Sequence, residues 1–235
     1  FFEEFFRNYA NNREVLGVVV CPTMGKKSLF RLFIQMYNFY GLKDFLRTLL
    51  RHLLVSLKGN TLKRICSRYD IPFFEESDIN SNSFINYWKK RNLNLIISVS
   101  ASQIFKKELL SLPLNGCINI HNAKLPYFRG MMPIFWQLYS FKKCVGITVH
   151  KINLKIDQGD IILQREIPII EGGSLDSTIK RAKKIGAHCI IEAINLIKSG
   201  KVEFFPNIPE QGSYFSFPRR EDVLEFRRRG NKIYD

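Results

Sequence analysis

Three short runs of apolar, partly β-branched residues, at 15–20, 93–99 and 117–120, constrain this chain more than any other feature. Each is short for a helix and has little polar interruption, so each reads as a strand buried on both faces. Stretches of helical period separate them. Phe1, Phe2, Phe5, Phe6 and Tyr9 open the chain as one face of an amphipathic helix, with Glu3, Glu4 and Arg7 between them. Strands alternating with helices put the chain in the α/β class, with a mostly parallel central sheet flanked by helices.

The remaining elements follow the same logic. Leu46, Leu49, Leu50, Leu53, Leu54 and Leu57 fall at i, i+3, i+4, i+7, i+8 and i+11, which predicts a helix, and residues 28–40 predict another before it. This helical insertion, about 26–58, reads either as a hairpin packed on the domain or as a basic amphipathic surface, centred on residues 43–58, for a membrane, a partner or RNA. Helices are expected at 62–69, 80–91 and 104–111, with an extended piece at 71–73. Strands are expected at 145–152 and 160–169, joined through a turn at Asp157-Gln158-Gly159, this later pair being mixed in direction. A long helix starts with Ser174 as N-cap and stops at Gly200. The body is expected to run from 1 to 205, with 206–235 as a tail. Acidic residues near the tail's start, arginines near its end and Gly230 as a stop predict a short basic helix, capped in solvent or binding an anion. A chain that opens on Phe1 and runs from helix to strand is expected to lack a preceding first strand.

Charge and cysteines narrow the class. The 235 residues carry 36 Lys and Arg against 21 Asp and Glu, a net +15, which invites anionic partners such as RNA, nucleotides, polyglutamylated cofactors or acidic lipids. With 46% hydrophobic residues the chain has apolar surface enough to fold. No run approaches the roughly 18 to 20 apolar residues of a membrane span, and no signal-peptide pattern appears. Cys21, Cys66, Cys117, Cys144 and Cys189 are scattered and odd in number. Free thiols in a reducing, cytoplasmic setting are expected, with no metal site.

Few motifs carry chemistry. Gly25-Lys26-Lys27-Ser28 lacks the first glycine of a phosphate loop, since position 20 is Val20. His52, His150 and His188 sit inside predicted helices or a strand and read as structural. His121 differs. In Cys117-Ile118-Asn119-Ile120-His121 the period of two puts Asn119 and His121 on one side, at the carboxyl end of a buried strand, where open α/β sheets bind ligands.

The residues that follow make the point sharper: Leu125-Pro126, Arg129-Gly130 with Pro133 three residues on, Gly146-Ile147-Thr148-Val149-His150, and Asp157-Gln158-Gly159-Asp160. From about residue 93 to 198 the sequence resembles the folate-dependent formyltransferases, which include the methionyl-tRNA, glycinamide ribonucleotide and nucleotide-sugar enzymes. The resemblance implies a Rossmann-like formyltransferase fold and 10-formyltetrahydrofolate as formyl donor. It maps a catalytic trio onto Asn119, His121 and Asp157. It also implies folate contacts at Ser100, Ala101, Gln103, Ile104, Leu125, Pro126, Ile156 and Gly159, and acceptor contacts at Lys124, Arg129 and Gly130. Arg129 reads equally well as a loop-fastening ion pair.

The implied reaction suits these residue types. An amine attacking a formyl carbon makes a tetrahedral oxyanion, which needs fixed donors. Proton traffic between the amine and the leaving folate nitrogen needs a titratable group, which a carboxylate beside an imidazole supplies. Asp157 would keep His121 protonated. The chain departs from the family in having Ala123-Lys124 where Ser-Leu is common before Leu-Pro, and in its helical insertion. The tail is shorter than the C-terminal domain of the tRNA-modifying members, which weakens tRNA as acceptor, whereas the +15 charge strengthens it. The expected function is therefore formyl transfer to a primary amine on an anionic acceptor, methionyl-tRNA-like or amino-sugar-nucleotide-like. The competing reading is a catalytically inactive, basic nucleic-acid or membrane-surface binding module on the same fold.

Overall fold

The computed structural model describes residues 1–22, 28–57 and 61–235. Residues 25–27 of the rejected phosphate-loop segment, and the ends of the 26–58 insertion, lie outside the described residues. The expected opening helix is α1 (Phe2–Asn8), which leads into β1 (Val18–Val20). A long helical segment, α2 (Leu29–Leu57), comes next, then α3 (Leu62–Arg68), β2 (Phe73–Glu75) and α4 (Asn82–Lys89). The central part of the chain supplies β3 (Ile96–Val99), α5 (Lys107–Leu110), β4 (Cys117–His121), β5 (Arg129–Gly130) and α6 (Pro133–Tyr139). It ends with β6 (Cys144–Lys151), β7 (Ile161–Pro168), α7 (Leu175–Lys198), β8 (Tyr214–Phe215) and α8 (Arg220–Arg228).

The strands form a four-stranded sheet in the order β3-β4-β6-β7 and two short pairs, β1-β2 and β5-β8. All three pairings β1-β2, β3-β4 and β5-β8 are parallel, whereas β6 runs antiparallel to both β4 and β7. The expected change of direction in the later strands has a plain cause. Only the turn region of residues 152–160 joins β6 to β7, too short for the crossover a parallel pair needs. Strand β6 is covered on both faces: Val145, Ile147 and Val149 are fully buried, and so is Thr148 between them.

Helix α7 lies on this sheet through Ala182, Ala187, Ile190 and Ala193, each 0% exposed, the three alanines letting helix and sheet come close. Its start is the expected one: Ser174 Oγ accepts the Ser177 N–H and Ser177 Oγ accepts the Ser174 N–H, a reciprocal cap. Among the described residues, the short strands β5 and β8 and the helix α6 went unpredicted. Helix α6 has five consecutive buried residues, Ile134 to Leu138, so it shows no amphipathic period to read.

The insertion is a hairpin. Gly41 has φ 68 and ψ 171, outside the helical region, and the Phe33 and Phe45 rings stand 5.0 Å apart. Twelve residues of straight helix would separate them by about 18 Å, so the two arms fold back at Gly41. Phe39 anchors the first arm, packing on Phe135 and Phe217. The terminal arginines serve as fasteners: Arg227 bonds Asp44 at 2.9 Å, and Arg228 and Arg229 each bond Glu225 at 2.8 Å. All five cysteines are unpaired thiols, and burial pushes Cys117 up to about 12 and Cys189 up to about 11.

Candidate active site

Register brings the site together. β4 pairs with β3 so that Asn119 lies beside Ser98, and with β6 so that Asn119 faces His150 and His121 faces Thr148. The alternation read from the sequence therefore holds, and it extends to β6, where Thr148 and His150 lie two residues apart beside the Asn119/His121 pair. His121 is 6% exposed and His150 2%. Buried polar groups of this kind need partners.

Asp157 arrives from the loop between β6 and β7. It sits at φ 52, a left-handed conformation that aspartate tolerates better than most residues. Its Oδ2 accepts the Gly130 N–H at 2.8 Å and lies 3.6 Å from His121 Nδ1, while Oδ1 lies 3.7 Å from His150 Nε2. Both imidazole distances exceed a direct hydrogen bond and remain within Coulombic reach. Asn207 holds the turn from behind: its Nδ2 donates to the carbonyls of Asp157 and Gly159, each at 3.0 Å. Gly159 itself must be glycine, because a Cβ there would collide with the Lys151 carbonyl.

The ring nitrogens follow from their partners. Nε2–H of His121 donates to the Phe128 carbonyl at 2.9 Å, which directs Nδ1 to Asp157. His150 Nδ1–H donates to the Lys151 carbonyl at 2.7 Å, so its Nε2 accepts from Asn119 Nδ2–H at 3.1 Å. Burial, then the charge of His121, pulls the His150 imidazole well below its ordinary value, which keeps it neutral and able to accept. The three expected residues thus converge, with a fourth, His150, between Asn119 and Asp157.

The surrounding residues divide. Ser100, at φ 54, and Ala101 follow β3 and are exposed, next to the end of β4. Ile104 and Ile156 are exposed at 60% and 46%. Gln103 has its side chain engaged: Oε1 accepts the Ile79 N–H at 3.1 Å and Nε2 donates to the Ser77 carbonyl at 2.8 Å. Leu125 is buried. Its N–H donates to Thr148 Oγ1 and its carbonyl accepts from Gln164, so Thr148 and Gln164 fix the Leu125-Pro126 step. Lys124 turns to Glu166 on β7 at 2.7 Å, an exposed pair. Arg129 reaches the Pro209 carbonyl at 3.2 Å and, among the described residues, pairs with no carboxylate and leaves its buried Nε without a partner. Gly130 sits at φ 94 against the Phe215 carbonyl, its N–H serving Asp157. Two concave surface regions lie away from this cluster, one at residues 10–14 with Tyr69 and Asp70, the other along α7.

Sequence reasoning missed His150, Thr148, Gln164 and Asn207. For His150 the signal was present, since the alternation 146, 148, 150 mirrors that of 119 and 121. Asn207 carried none, because its role depends on a return of the chain from a distant segment. The tail from 206 is part of this site: β8 pairs with β5, Phe128 N–H donates to Ser213 Oγ, and the Trp136 indole N–H reaches the Ser216 carbonyl.

A family model described as formyl transferase matches residues 53–194, more than half the chain. This chain belongs to the formyl transferase family. A methionyl-tRNA formyltransferase from Thermodesulfovibrio yellowstonii is 31% identical over 155 residues, which cover 66% of this chain and 50% of that protein. The chain spans about half the length of the curated relatives it matches. Among solved structures, the formyltransferase PseJ from Anoxybacillus kamchatkensis, in complex with UDP-4,6-dideoxy-4-formamido-L-AltNAc and tetrahydrofolate, is similar with a TM-score of 0.54. It is 21% identical, with 88% of this chain and 90% of that one covered. Glycinamide ribonucleotide transformylase 1 from Symbiobacterium toebii has a TM-score of 0.55 and 18% identity, over 81% and 94% of the two chains. At such identities the likeness to these structures is one of fold. It establishes the formyl transferase fold of this family member.

Proposed function

We propose that this formyl transferase family member moves a formyl group from 10-formyltetrahydrofolate to a primary amine on an anionic, phosphate-bearing acceptor. An amino-sugar nucleotide and methionyl-tRNA are the two candidate acceptors, and the net +15 charge suits both. The observation that carries the reading is the Asp157 carboxylate held between His121 Nδ1 and His150 Nε2, beside Asn119. A chain that served only as a binding shell has no use for this arrangement.

The steps follow from the donors and acceptors. The amine nitrogen forms a bond to the formyl carbon, and the carbonyl electron pair moves onto oxygen. Asn119 has two amide protons and spends one on His150, so the other can meet that oxygen. His121 is anchored by its Nε2–H, so any proton it moves is the one at Nδ1, on the side facing Asp157 Oδ2 at 3.6 Å. Asp157 takes the surplus amine proton, directly or through water, and returns it to the folate nitrogen as the bond from the formyl carbon to that nitrogen breaks. Backbone groups at 100–104, Leu125-Pro126 and the Ile156–Gly159 turn would hold the folate, and Arg129 and Gly130 the acceptor side.

The test is release of tetrahydrofolate when the protein meets formyl donor and a panel of amines, including an amino-sugar nucleotide and methionyl-tRNA. Release with at least one phosphate-bearing amine and with none of the neutral amines is expected. No release with any member of the panel would overturn the proposal.

A further inference from the structure

The second arm of α2, residues 42–57, is built inside out. At 100° per residue, Leu42, Leu46, Leu49, Leu50, Leu53 and Leu57 fall within an arc of about 100°. These leucines are between 46% and 77% exposed. The arm meets the domain through its polar side instead. Thr48 Oγ1 bonds the Tyr234 hydroxyl at 2.9 Å, Asp44 bonds Arg227, and Arg51 bonds Asp176 at 2.6 Å. The six leucines present on the order of 600 Å² of apolar surface, the upper end for the largest patch of a soluble monomer. Phe30 and Phe33 of the first arm are themselves 72% and 53% exposed.

Charge decides what covers this face. Residues 28–57 contain Arg31, Lys43, Arg47 and Arg51 against a single carboxylate, Asp44; Asp44 is paired with Arg227 and Arg51 with Asp176, which leaves Arg31, Lys43 and Arg47 without a carboxylate of the hairpin. Lys43 lies on one flank of the leucine arc; Arg47, next along that side, donates to the Asp235 carbonyl at 2.7 Å and lies over the Tyr234 ring. A second copy docked on this face would bring the cations of two molecules together with no acid from either hairpin to answer them. A bilayer carrying anionic headgroups answers them directly, and it takes up the leucines without needing a matching groove. We infer that the 28–57 hairpin seats this protein on an anionic membrane surface, leucines in the acyl boundary and Lys43 among the headgroups. No described helix is long and apolar enough to cross a membrane, so the contact lies in the interface plane. The inference is independent of the proposed formyl transfer.

Co-sedimentation of the full chain with phosphatidylcholine vesicles, with and without phosphatidylglycerol, tests it. Binding is expected to the phosphatidylglycerol vesicles, to weaken steeply with salt, and to be slight on phosphatidylcholine alone. The triple change Leu46→Gln, Leu50→Gln, Leu53→Gln alters exposed side chains and should leave the unfolding midpoint in place while reducing binding by about tenfold or more. Lys43→Glu should reduce it independently. Absence of binding to anionic vesicles, or binding indifferent to both changes, would overturn the inference. So would a concentration-dependent dimer abolished by the triple change, which would assign the face to a second copy.

Discussion

Asn207→Ala tests whether the far end of the chain governs the carboxylate at the site. Asn207 is 8% exposed, and its Nδ2 makes two bonds of 3.0 Å, to the Asp157 and Gly159 carbonyls. A neutral hydrogen bond contributes about 0.5 to 1.5 kcal/mol net, so losing two costs about 1 to 3 kcal/mol. For a chain of this size that lowers Tm by about 2 to 4 °C per kcal/mol. The kinetic effect should be larger than stability alone implies, because the turn that aims Asp157 at both imidazoles loses its brace. A displacement near 1 Å can cost about a hundredfold in rate. Urea denaturation gives the first quantity, and kcat with both substrates saturating gives the second. The expected result is a lower midpoint, a kcat down by about tenfold or more, and a KM for the formyl donor close to the starting value. A variant that is less stable yet turns over normally would refute the positioning role, leaving Asn207 as packing.

Further outcomes follow from the same geometry. Gly130→Ala places a Cβ against the Phe215 carbonyl at φ 94 and should lower the unfolding midpoint by the equivalent of about 1 to 3 kcal/mol, read by urea titration. Phe135→Ala empties a fully buried position stacked 4.6 Å from Phe226 and should cost about 3 to 5 kcal/mol in the same measurement. His150 gives a pH signature. Burial and the charge of His121 lower its pKa to about 4, so the unfolded chain binds the extra proton first. Its penalty is absent above about pH 6.5 and grows as pH falls toward 4, reaching about 2 kcal/mol at pH 5. Denaturation midpoints at pH 7.5 and pH 5 should therefore diverge less in His150→Gln than in the parent, and equal divergence would remove this role for burial.

The α/β class was legible because the apolar runs that became β3 and β4 are interrupted, within the strands, by single polar residues only, Ser98 and Asn119, and because the Ser174 cap and the leucine period of α2 are local signals. Asn119 and His121 were legible for the same reason: a strand of known period fixes which residues share a face. His150 was not read as a site residue, because its alternation with Gly146 and Thr148 tells which residues share its face but not which strand that face lies beside. Its part appears only once β6 is known to lie antiparallel beside β4. Gln103 lies in the loop that the resemblance assigns to the folate, and nothing in the sequence signals that its side-chain amide ties that loop to Ser77 and Ile79. Residues whose duty depends on distant segments, Asn207 above all, left no mark that periodicity or motif could disclose.

The most direct test of the central claim is transfer of isotopically labelled formyl from 10-formyltetrahydrofolate to an amine acceptor, by the parent protein and by Asp157→Asn. The isosteric amide preserves the shape of the turn and removes the charge between His121 and His150. The account predicts labelled product from the parent and a rate lower by at least about a hundredfold from the variant, with an unchanged unfolding midpoint. Equal rates from the two proteins would contradict it.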